Sequence, residues 1–136
     1  MKMDLKGVKL EVKEPEDIFN IMMTIFAREK RLDKTREHLW TISLDCVSTI
    51  LNIEHLSTGS HRMVSVDPVD VFSIPLQKKA SKLIIVHNHP SGKVIPSKED
   101  IDTTNRLIQI GSIMKLEVIE HTFRTKPIKK YFLRKI

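Results

Sequence analysis

The sequence predicts an α/β fold in which helices pack on both sides of a mixed sheet, with residues 1–136 forming one domain. Three observations lead there. Strand-like and helix-like periodicities alternate along the chain, with no internal repeat, linker or low-complexity tract between them. The run Leu83-Ile84-Ile85-Val86 is apolar at every position, as in a strand whose two faces are both covered. A length of 136 residues with 40% hydrophobic content suits one sizeable core and is too short for two.

The elements follow in order. Val8, Leu10 and Val12 alternate with Lys9, Glu11 and Lys13, the period-two pattern of a half-buried strand. Pro15 opens a helix whose Ile18, Met22, Ile25 and Phe26 share one face. Glu16 and Asp17 in its first turn, and Arg28, Lys30 and Arg31 near its end, complement the helix dipole. Glu37 to Leu44 is rich in β-formers and Val47 to Leu56 offers a return strand, so the two make a hairpin. Asp67-Pro68 is an N-cap followed by a first-turn proline. Val69, Phe72 and Leu76 are expected to face inward from that helix, and Pro75 to kink or split it. Leu83 to Val86 delivers the chain into His87. Ser97 then begins a helix with Ile101, Thr104, Leu107 and Ile108 toward the core, ending near Gly111. Leu116, Val118 and Ile119 make a further strand and Tyr131-Phe132-Leu133 a last one.

The net charge of +6 is informative by its position. Arg124, Lys126, Lys129, Lys130, Arg134 and Lys135 lie in a final stretch without one Asp or Glu, which leaves 17 basic against 17 acidic residues elsewhere. Such a tail, with Tyr131 and Phe132 between its charges, could follow a nucleic-acid backbone and offer stacking surfaces. The simpler and preferred reading is an edge strand whose lysines discourage pairing with other chains. The single Cys46 rules out an internal disulfide and a cysteine-rich metal knuckle, and is expected to be a buried or half-buried bystander. No apolar run is long enough to span a membrane and no signal-peptide core follows Met1, so a cytoplasmic protein without membrane contact is expected.

The informative stretch runs from His87 to Asp100. Residues two apart on a strand point to the same side, so His87 and His89 can present two imidazoles to one point at a strand's carboxyl end. The loop from Pro90 to Pro96 turns the chain back, and the first turn of the next helix can bring Asp100 to that point as an oxygen ligand. Two nitrogens, one carboxylate and an open fourth position describe a catalytic Zn²⁺ site, with water as the remaining ligand. Other divalent metals tolerate the same donors. Each piece has a plainer reading. A His-x-His pair is more often a surface or core feature, Ser97 and Asp100 have the spacing of a helix cap and its reciprocal partner, and Asn88 is a turn former. The joint occurrence is what favours a metal.

These residues resemble the JAMM or MPN-type metalloprotease motif: Glu, then His-x-His, seven residues, Ser, two residues, Asp. His87, His89, Ser97 and Asp100 fit its spacing. The wording Val86-His87-Asn88-His89-Pro90-Ser91-Gly92, with Pro96-Ser97 and Asp100, looks most like the bacterial RadC family, labelled DNA repair proteins, and the resemblance extends from about Glu37 through Glu120-His121. It implies a JAB/MPN, cytidine deaminase-like architecture. It also implies that His87, His89 and Asp100 hold Zn²⁺ and that Ser97 hydrogen-bonds the oxyanion of a tetrahedral intermediate. Glu37, or failing that Glu54, would be the general base. His38, His55, His61 and His121 fall outside the motif and are expected to be structural or solvated.

Two functions follow. One is a zinc-dependent hydrolase of amide bonds, peptidase- or isopeptidase-like, with a peptide or isopeptide substrate. The other is a DNA-associated accessory protein, RadC-like in DNA repair, whose zinc site is structural or vestigial and whose basic tail holds nucleic acid. Full-length RadC relatives carry an amino-terminal helical segment resembling helix-hairpin-helix modules, and only 36 residues precede Glu37 here. A nucleobase deaminase is disfavoured, because that chemistry uses His-x-Glu with Pro-Cys-x-x-Cys and this chain has one cysteine.

Overall fold

The computed structural model describes residues 10–29, 36–56, 66–88, 98–124 and 130–135, the last segment and Arg124 by backbone alone. The elements are α1 (Pro15–Arg28), β1 (Leu39–Leu44), β2 (Ile50–Leu56), α2 (Pro68–Gln77), β3 (Lys82–Asn88), α3 (Lys98–Ile113), β4 (Glu117–Arg124) and β5 (Lys130–Lys135). The strands form one five-stranded sheet in the order β2-β1-β3-β4-β5. β3 and β4 are parallel and joined through α3, and the other neighbours are antiparallel. The mixed α/β sheet expected from the sequence is therefore present.

Each face of the sheet has its own core. Along β3, Ile84 and Val86 join α1 residues Ile18, Met22, Ile25 and Phe26 in one apolar cluster. Leu83 and Ile85 join Val71 and Phe72 of α2, Leu107 of α3 and Val118 of β4 in the other. The alternation is that of a pleated strand covered on both sides. On the α1 side, Phe26 meets Trp40 and Phe123 edge-on, with ring centroids 6.0 Å and 5.8 Å apart, a favoured aromatic geometry. Asp17 is buried in the first turn of α1, where its Oδ2 accepts the Lys13 and Glu14 N–H groups at 2.9 Å and 3.1 Å. That satisfies backbone donors the helix cannot.

Several local expectations need correction. Residues 10–13 make an isolated bridge, Glu11 to Thr49, where a strand was expected, and Val8 lies outside the described residues. α2 turns Val71, Phe72 and Pro75 inward and leaves Val69 and Leu76 exposed. Phe72 borders both stripes of this helix, and the stripe containing Pro75 is the one that docks. Pro75 does not split α2, because it stands in the last turn, where the missing N–H removes one bond and Lys78 still donates to Ile74 O at 2.9 Å. Cys46 is exposed, contrary to expectation. It sits in the β1–β2 turn, which Asp45 organises by accepting the Val47 and Thr49 N–H groups and in which Ser48 adopts φ 65°.

α3 runs through Gly111 to Ile113 and closes with a Schellman arrangement. Leu116 N–H donates to Gly111 O at 2.8 Å and Lys115 N–H to Ser112 O at 3.2 Å, with Lys115 left-handed at φ 57°. The backbone comes so close that a Cβ on Gly111 would stand 2.5 Å from Val118 Cγ2 and 2.6 Å from Leu116 O. This contact fixes where the helix lies. Val118 is the register partner of Leu83, so the carboxyl end of α3 stands beside the start of β3. Asp100 is eleven residues back, a rise of about 16 Å, while His87 is four residues on from Leu83, about 13 Å along the strand. Asp100 and His87 thus reach the same level, at the carboxyl end of β3.

Candidate metal centre

His87 follows Leu83 and Ile85 on the face of β3 that looks toward α2 and α3, and it is 2% exposed. The parallel register with β4 pairs Ile85 with Glu120 and His87 with Thr122, which puts both β4 side chains on this face. The Glu120 carboxylate accepts from His87 Nε2–H at 2.9 Å, and the Thr122 hydroxyl oxygen lies 2.7 Å from the same nitrogen. Glu120 and Thr122 are fully buried. An ionised carboxylate only accepts, so this contact selects the tautomer protonated at Nε2.

Asn88, facing the opposite way, ties β3 to the entry of β1. Its Oδ1 accepts the His38 N–H at 2.6 Å, and its Nδ2 donates to Arg36 O at 2.9 Å. Glu37 lies between those two anchors, half-buried, immediately before β1. Asp100 occupies the first turn of α3, also half-buried. Glu54, the alternative base, pairs with Thr41 on the side of β1 away from β3 and lines a cleft with Asp67, Asp70 and Ser73 of the α2 region. His89 and Ser97 lie outside the described residues.

The other histidines have structural settings. His38 Nδ1 and His55 Nε2 are 3.2 Å apart, and both rings lie against Trp40. His121 is buried on the α1 face with a pKa lowered to about 4, chiefly because burial disfavours the imidazolium and secondly because His87 is near. The backbone of Pro15 nearby pulls in the opposite direction. His61 lies outside the described residues.

The residues that sequence reasoning passed over are Glu120 and Thr122, while Asn88, read there as a turn former, is instead the last residue of β3 and bonds across to the approach of β1. Period-two counting from Val118 puts Glu120 and Thr122 on a buried face, and a carboxylate at such a position is itself a signal. The two bonds of Asn88 cross about fifty residues of chain and leave no local pattern.

Among the described residues no helix is long and apolar enough to cross a membrane. The donor chemistry suits a divalent cation of zinc's kind: an imidazole held in one tautomer, and a helix-borne carboxylate at the same level of the sheet.

Comparison with known proteins agrees with this architecture. A family model described as the RadC-like JAB domain matches residues 12–132. A UPF0758 protein of Caldanaerobacter subterraneus is 35% identical over 121 residues, 89% of this chain and 50% of the relative. UPF0758 proteins of Staphylococcus haemolyticus and Syntrophomonas wolfei are 34% and 37% identical over 83% and 81% of this chain, and 47% and 46% of their own lengths. The chain therefore spans about half the length of these curated relatives. The family match over most of the chain, on the fold described above, establishes that this protein belongs to the RadC-like JAB domain family.

Proposed function

We propose that this domain is a zinc-dependent metallohydrolase that cleaves amide bonds of peptide or isopeptide substrates. His87, His89 and Asp100 hold the metal, Glu37 is the general base and Ser97 stabilises the oxyanion. The observation that carries this reading is the buried, tautomer-selecting contact of His87 at the carboxyl end of β3, level with the carboxylate on the first turn of α3. Zinc bound there would supply a Lewis acid for the scissile carbonyl and lower the pKa of water beside it.

The chain's own residues supply the rest. The backbone anchors on either side of Glu37 support its choice as the base, whose carboxylate would take a proton from the attacking water and return it to the departing nitrogen. Its partial burial limits competition from bulk water. The Ser97 hydroxyl would donate to the oxygen that gains charge as water adds to the carbonyl carbon. Glu54, on the far side of β1, is the less suitable base.

The test uses zinc-loaded protein and a quenched-fluorescence library of peptides and lysine-linked isopeptides. Glu37→Gln is expected to keep one zinc per chain and lose turnover; a variant with wild-type turnover would reject the base assignment. A second reading, association with nucleic acid, is favoured by one observation. β5 is an edge strand carrying Lys130, Arg134 and Lys135, part of a terminal stretch with six basic and no acidic residues. Zinc-loaded wild type that is inert toward the whole library would shift the balance to that reading.

A further inference from the structure

Glu120 has no place in the motif that led to the metal site, yet it is one of the least expected residues in the fold. It lies on the α2/α3 face of β4 opposite Ile85, between Val118 and Thr122 on the same face, and none of its surface is exposed. An isolated carboxylate in such a place costs several kcal/mol unless it is paired and hydrogen-bonded. Its partner is His87 Nε2, 2.9 Å away, with the Thr122 oxygen 2.7 Å from that nitrogen. A fold that required only packing here would be served by an apolar residue such as the neighbouring Val118.

We infer that Glu120 is a positioning residue for His87: together with Thr122 it holds the imidazole in the Nε2–H tautomer, so that the lone pair offered to the metal is on Nδ1. This rests on the metal-site reading above and adds to it a residue and a ligating atom. The chemistry is that of a carboxylate–histidine–metal relay, in which the outer carboxylate fixes ring rotation and makes the ligating nitrogen a better donor. Arg or Lys could not take this role, since the group beside the ring must accept a hydrogen bond from Nε2–H. Thr122 limits ring rotation from the adjacent register position, because its oxygen approaches the same nitrogen from the strand position directly beside His87.

The inference is tested on the full chain by zinc titration against a competing chelator, with folding followed by circular dichroism, and by long-range ¹H–¹⁵N spectra of the ring nitrogens. Glu120→Gln, which retains a neutral acceptor, is expected to weaken zinc about 10-fold, and Glu120→Leu about 100-fold. In wild type the His87 Nε2 resonance should stay that of a protonated nitrogen on zinc addition while Nδ1 shifts. A merely structural carboxylate would not produce that pattern. A folded Glu120→Leu with wild-type zinc affinity, or zinc found at Nε2, overturns the inference. If Glu120→Leu does not fold, the wild-type spectra decide. Wild type that binds zinc while Glu120 proves indifferent refutes this inference alone, and wild type that binds no zinc refutes the metal-site reading with it.

Discussion

Replacing Asn88 by alanine removes the two side-chain bonds that hold the approach to β1 against the end of β3. Asn88 is 3% exposed and His38 5%, so water cannot readily replace what is lost. The bond to Arg36 O is worth about 1 kcal/mol net, and leaving the buried His38 N–H without its 2.6 Å acceptor costs about 2 kcal/mol more. For 136 residues an unfolding entropy near 0.29 kcal/mol/K converts about 3 kcal/mol into a fall of about 10 °C in Tm. Urea unfolding measures the loss directly, and hydrogen exchange localises it. The His38 amide, exposed by local opening once its acceptor is gone, should lose more protection than the roughly 150-fold that about 3 kcal/mol of global destabilisation allows, while Ile42 in mid-strand loses no more than that. Because Glu37 lies between the two anchored residues, turnover should fall while zinc content is kept. An Asn88→Ala protein within about 0.5 kcal/mol of wild type, with His38 still protected, would refute the reasoning, since that is the range of substitutions that touch nothing important.

Three further outcomes are expected. Gly111→Ala should destabilise by about 1–3 kcal/mol in urea unfolding, because the new methyl meets Val118 Cγ2 at 2.5 Å and the Leu116 carbonyl at 2.6 Å; an unchanged midpoint would show that α3 can shift at no cost. His121 has a folded pKa of about 4 against 6.5 unfolded, so between these values the unfolded chain binds more protons and stability must rise with pH. Stability is thus lost as pH falls from about 6.5 toward 4, by up to about 1.4 kcal/mol per unit, and His121→Leu should flatten the slope; an equally steep slope in the variant would assign it elsewhere. Neutralising Lys129, Lys130, Arg134 and Lys135 together should weaken any salt-sensitive binding to duplex or single-stranded DNA and reduce the slope of log K against log salt; binding that persists unchanged would remove the tail from that role.

The sheet was legible because its strands carry strong local signals. Leu83 to Val86 is apolar at every position, as in a strand covered on both faces, and the first helix announced its inner face at three- and four-residue spacing. What escaped depended on tertiary choice. α2 offers two apolar stripes that share Phe72, and only docking against the sheet selects the one with Val71 and Pro75. Gly111 reads as a helix end in sequence, whereas here it is the close-contact point inside the last turn, and the true stop is the left-handed Lys115. Cys46 belongs to a turn whose shape is set by Asp45, so its exposure follows from a neighbour's hydrogen bonds.

The site divides in the same way. His87 and Asp100 are candidate ligands by strand alternation and helix-start spacing, and the rise along α3 and β3 puts their backbones at one level of the sheet. Glu120 and Thr122 come from a strand more than thirty residues on, and only the parallel register between β3 and β4 reveals that they meet His87. A motif search sees the ligand positions and not the residues that orient them. Alternation along β4 would have placed the carboxylate on a buried face, but not beside a particular histidine.

The most direct test of the metal-centre account is zinc content by mass spectrometry of purified protein, comparing wild type with His89→Ala and Asp100→Asn. One zinc per chain is expected in wild type, lost in both folded variants. A folded wild type without zinc, or variants that retain it in full, would contradict the account.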